Sequence, residues 1–153
     1  MDYNNMIAAK QKSLNESMDS TEPNLKNYFG SHEYDSIASI SSRMEIKIDS
    51  IVAAIKNKPA PKVVQAENFK KAALQYFDYM KSIYTAYKNY GTQSTPEGRE
   101  TQKQIMAMVI NQEDREIAQM QKAQQIFAKD NGFKIQSEKK SESGSLTASP
   151  PNR

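Results

Sequence analysis

The chain has 153 residues, a formal net charge of +3, a hydrophobic fraction of 37% and a charged fraction of 25%. That is enough apolar sequence for one folded core, and too much for a wholly disordered chain. With no cysteine and one histidine, disulfides, thiol catalysis and thiolate or multi-imidazole metal sites are excluded.

Only four of the 21 basic residues are arginines (Arg43, Arg99, Arg115 and Arg153). The lysines alternate with carboxylates rather than clustering, so a solvated surface is expected and nucleic acid is not an expected partner. No apolar run is long enough to span a bilayer. Gly-rich phosphate loops, nucleophile elbows and strand patterns are missing too, so no enzyme and no cofactor is expected.

From Tyr3 to about Asn27, apolar residues recur at helical spacing: Tyr3, Met6, Ile7, Leu14, Met18, Leu25 and Tyr28. Pro23, behind Ser20 and Thr21, predicts a kink or a fresh helix start. The second helix carries Tyr34, Ile37, Ile40, Met44, Ile48, Ile51, Val52 and Ile55 on one arc and leaves Ile46 outside it. Lys56–Pro61, with two prolines in three residues, reads as a stiff linker.

The third helix, Glu67 to Tyr90, holds the aromatic stripe. Phe69, Ala73, Tyr76, Met80, Ile83, Tyr84 and Tyr87 share a face, with Phe77 and Tyr79 flanking it. Such spacing points to core rather than to a base-stacking surface, with phenolic tips at the rim. Gly91 follows as the expected C-cap.

Thr95-Pro96-Glu97 is an N-cap signature, and it opens a fourth helix expected to place Ile105, Val109, Met120, Ala123 and Phe127 in the core. Asn131-Gly132-Phe133 is its stop signal. The apolar spans Tyr34–Ile55, Phe69–Tyr90 and Ile105–Phe127 cover 22 or 23 residues each, or helices of about 33 Å. Matched lengths with short connections predict an all-α, up-down-up-down four-helix bundle over residues 1–136. Residues 137–153, rich in Ser, Glu and Lys, read as a disordered polar tail.

Two carboxylates stand out. On a 100° wheel Glu116 falls between Ile105 and Val109, with Glu113 close by, so both are candidates for a buried polar layer. A layer of this kind is expected to meet a Lys or a Tyr hydroxyl from another helix, or to open the bundle locally to water. An ion-binding or acid–base pair is the functional alternative.

The stretches Tyr3-Asn4-Asn5-Met6-Ile7 and Ala123-Gln124-Gln125-Ile126-Phe127-Ala128-Lys129-Asp130-Asn131-Gly132-Phe133 resemble a family of small helical surface lipoproteins of spirochaetes and Bacteroidetes. The resemblance runs over about residues 3–135. It implies an export signal and a lipid-anchoring cysteine upstream of Tyr3, a cell-envelope or surface location, and membrane contact only through that anchor. It offers no catalytic residues. The expected function is a non-enzymatic exported bundle acting on an unknown protein partner. The alternatives are a cytoplasmic adaptor or oligomeric coiled-coil module, and a small-ligand binder using a cavity beneath the tyrosines.

Overall fold

The computed structural model describes residues 2–135; the predicted polar tail lies outside the described residues. Five helical segments follow one another: α1 Asp2–Gly30, α2 Tyr34–Asn57, α3 Ala66–Thr92, α4 Pro96–Ile110 and α5 Glu113–Asp130. They make four rods. Between α4 and α5 only Asn111 and Gln112 intervene, and both keep right-handed helical backbone angles. The fold is an all-α four-helix bundle.

Cross-helix contacts fix the directions. Asp49 and Glu45 of α2 pair with Lys81 and Lys88 of α3 at 2.8 and 2.7 Å, so numbering falls on one helix as it rises on the other. Likewise Phe69 meets Phe127 at 5.1 Å between ring centroids, while Tyr79 meets Val109. Across the diagonal, Tyr3 lies against Phe69 and Phe29 against Tyr87, so α1 and α3 run parallel. Gln124 donates to the Asn4 side chain at 2.9 Å and ties α5 to α1. These directions describe an up-down-up-down bundle.

The α3 helix is the centre. Its neighbours lie on several sides, so Phe77 and Tyr79 are buried along with the expected stripe of Phe69, Tyr76, Tyr84 and Tyr87. Each large apolar side chain buried there contributes about 1.5–3 kcal/mol of transfer free energy. At the N-terminus of α4, Thr95 Oγ1 accepts from the Gly98 N–H at 3.0 Å, with Pro96 in the first turn. The α5 terminus is equally well specified. Gly132 has φ +72°, the Phe133 N–H reaches the Ala128 carbonyl, and the Gly132 N–H reaches that of Lys129. The Phe133 ring then packs 5.4 Å from Phe127, completing a Schellman stop.

Three local expectations are corrected. The α1 helix continues through Pro23 without a break. Ser20 turns its hydroxyl back to the Ser17 carbonyl, and Thr21 reaches Met44 Sδ on α2, so neither caps a new helix. Buried Thr21 and Leu25 hold both sides of the proline against the bundle, and that packing offsets the local cost. Gly91 lies inside α3, which runs on to Thr92. Ile105 is 41% exposed, and its neighbour Met106 is the residue of α4 that is buried.

Candidate functional site

Glu113 and Glu116 occupy the first turn of α5, where the positive end of the helix dipole favours carboxylates. They are 7% and 8% exposed. The sequence leaves a lysine, a tyrosine hydroxyl or a local opening to water as what meets this layer; the Glu116 Oε2 accepts from Gln75 Nε2 of α3 at 3.2 Å. Its Oε1 lies 3.5 Å from the Arg115 guanidinium. Gln75 also donates to Gln119 at 2.9 Å, so one α3 amide clasps two successive turns of α5.

One turn before Glu113, the Tyr79 hydroxyl donates to the Val109 carbonyl at 2.6 Å. In an unbroken helix that carbonyl would accept from the residue-113 N–H. A side chain inserted into the ladder is a recognised cause of a kink, and the α4–α5 joint falls at this point. The Tyr79 bond and the joint, both missed from the sequence, meet at the Val109 carbonyl, which also accepts from the Gln112 N–H at 3.1 Å.

The tyrosines of α3 share an electrostatic environment. Burial pushes the hydroxyls of Tyr76, Tyr79, Tyr84 and Tyr87 above the ordinary phenol range, and the charge of Glu113 pushes each further. For Tyr84 and Tyr87, Glu22 of α1 adds to the same effect. Glu22 is itself raised, by burial first and then by Asp19, with Lys26 opposing. At neutral pH these phenols are hydrogen-bond donors rather than nucleophiles.

Their partners differ. Tyr79 has the Val109 carbonyl and Tyr76 has the Gln11 side chain. Among the described residues, the Tyr84 and Tyr87 hydroxyls have no hydrogen-bond partner, although the two tyrosines are 0% and 2% exposed.

A third buried carboxylate, Glu45 on α2, is held by Lys88 and by the Thr85 hydroxyl at 2.5 Å. Its place was legible. Ile37, Ser41, Glu45, Ile48 and Val52 follow one helical stripe, and the wheel argument used for Glu116 applies equally to it.

At the opposite end from the α5 terminus, Arg99 stacks 4.2 Å over the Tyr34 ring and donates to the Gln93 carbonyl. Tyr34 in turn meets Tyr90, and Tyr90 meets Phe29. This group fastens the start of α4 to α2 and α3. His32 lies in the α1–α2 turn with φ +58°, exposed beside Tyr34.

Among the described residues, no three His, Asp or Glu side chains converge as a metal centre would need, and no helix is long and apolar enough to cross a membrane. The arrangement can donate and accept hydrogen bonds in a dry interior. In comparisons with protein-family models, curated proteins and solved structures, nothing matches the chain.

Proposed function

We propose that this chain is a non-enzymatic helical-bundle domain of an exported bacterial cell-surface protein, acting by contact with a protein partner. The observation that carries the reading is on α4. Ile105 and Met108, three residues apart and so neighbours on the helix surface, are 41% and 67% exposed. Paired large apolar side chains left in water favour a contact surface, whereas single ones such as Ile46 are commonplace. The resemblance of Tyr3–Ile7 and Ala123–Phe133 to helical surface lipoproteins supports the location.

A photo-crosslinking residue placed at Met108, with Ile46 as the equally exposed control, tests the contact on intact cells. The expected result is a discrete adduct from position 108 and none from position 46, with the protein labelled by a membrane-impermeant reagent. Labelling only after lysis would overturn the surface reading. An adduct made only with a second copy of the chain would favour the oligomeric module, since a helix face with Ile105 and Met108 exposed could equally pair with itself.

A further inference from the structure

The α2–α3 connection ends in a turn that leaves two valines in water. Pro59 and Pro61 cannot continue α2, and the chain turns over Val63-Val64-Gln65 before α3 begins at Ala66. The Val63 N–H donates to the Pro61 carbonyl at 2.8 Å and the Ala66 N–H to the Val63 carbonyl at 3.3 Å. Asn131, at the end of α5, donates to the Val64 carbonyl at 2.8 Å. The backbone of the turn is thus held in place, yet Val63 and Val64 are 49% and 55% exposed. Adjacent apolar side chains left out at the end of a bundle mark a contact.

The same end is basic. Along the chain lysines alternate with carboxylates, but the fold gathers an excess here. Residues 56–71 and 129–135 hold seven lysines against two carboxylates, Glu67 and Asp130. Asp2 adds a third, since α1 starts at this end with Tyr3 against Phe69. Lys56, Lys58, Lys62, Lys129 and Lys134 are exposed, and among the described residues none of the five enters a salt bridge. Lys70 instead turns inward and donates to the Lys56 and Lys58 carbonyls at the end of α2.

Each class of partner makes a different demand on this tip. A stable protein contact needs on the order of 800 Å² per partner, more than two valines on a turn present. Nucleic acid favours clustered arginine, and neither stretch contains one. An anionic bilayer asks for point charges that reach its headgroups and for apolar side chains that enter the interface, carried on backbone whose polar groups are already paired. We propose that the Val63-Val64 turn, flanked by Lys56, Lys58, Lys62, Lys129 and Lys134, is a docking tip for an anionic lipid surface. It rests neither on the α4 surface nor on the cell-surface reading.

Sedimentation of the full chain with lipid vesicles tests it. Binding is expected to vesicles of equal parts phosphatidylcholine and phosphatidylglycerol, weakening as salt is raised, and not to phosphatidylcholine alone. Lys58→Gln/Lys62→Gln should weaken it about 30-fold, at roughly fivefold per lysine. Val63→Ser/Val64→Ser should weaken it about tenfold. All four positions are exposed, so the circular dichroism spectrum should not change. Met108→Ser should bind as the parent does, which separates this tip from the α4 contact. No binding, equal binding to both kinds of vesicle, or tip variants that bind like the parent would overturn the proposal.

Insertion depth is the readout that charge alone does not move. The chain has no tryptophan, so Val64→Trp places a single reporter in the turn. Its emission should shift to the blue on the anionic vesicles and be quenched by lipids brominated in the acyl chain. Unshifted emission, or equally tight binding to soluble polyglutamate, assigns the lysines to an acidic macromolecule in water and overturns the lipid tip.

Discussion

Gly91 and Gly132 both stand near helix ends, and they lack a side chain for different reasons. A Cβ on Gly91 would lie 2.6 Å from the Tyr34 carbonyl oxygen and 2.8 Å from the Ala38 nitrogen, backbone atoms that cannot rotate away. A Cβ on Gly132 would meet nothing within 4 Å, but its φ of +72° is strained for any L side chain. Gly91→Ala should therefore cost about 1–3 kcal/mol through overpacking, even after the gain of about 1 kcal/mol in helix propensity. Gly132→Ala should cost about 1 kcal/mol from the left-handed backbone alone. Urea unfolding of the two variants checks the order, and a neutral Gly91→Ala would show that α2 and α3 do not approach so closely. The Gly132 stop was legible because its signal is local. The role of Gly91 was not, because it depends on where a partner helix passes.

The fourth rod shows how a helix register can be read nearly right. Met106, Glu113, Met120 and Phe127 are buried at seven-residue intervals. A straight helix drifts by about 20° per heptad against such a repeat. A 100° wheel carried back from Phe127 through three heptads therefore lands on Ile105, one residue away from the buried Met106. The joint at Asn111–Gln112 lets the rod keep its seam towards α3. That correction comes from Tyr79, a residue on another helix, so nothing within 96–130 announces it. The stripes of α1, α2 and α3 were readable because each lies within one continuous helix. Pro23 misled because a strong local signal was outweighed by burial on both sides of it. Tyr79→Phe tests the account. Removing the hydroxyl should cost about 1 kcal/mol and leave the Val109 carbonyl to the Gln112 N–H, its 3.1 Å partner at the joint. Hydrogen exchange at Gln112, whose N–H shares that carbonyl with the Tyr79 hydroxyl, should then slow relative to global stability. Unchanged exchange there would mean that the joint has another cause.

At the scale of the whole molecule, the bundle's polar interior should set its alkaline limit. Tyr3, Tyr76, Tyr79, Tyr84 and Tyr87 all have hydroxyls raised above the ordinary phenol range, with burial the largest cause in each. In the unfolded chain the same groups ionise near pH 10, roughly the unperturbed tyrosine value. A group whose folded pKa lies above its unfolded one contributes stability that is fully present below the unfolded value. Above that value the unfolded chain sheds protons that the folded chain keeps, and the balance moves towards unfolding. These five tyrosines should therefore leave Tm unaffected up to about pH 9 and make it fall progressively above roughly pH 10. Phenolate absorbance recorded alongside circular dichroism is the direct measurement. The buried tyrosines should ionise together with the loss of helix, not before it, and the Tyr84→Phe/Tyr87→Phe double variant should lose part of that cooperative absorbance change. If all five ionise near pH 10, the ordinary phenol value, while the helical signal stays intact, water reaches them freely. The dry interior on which the tyrosine layer depends would then be refuted.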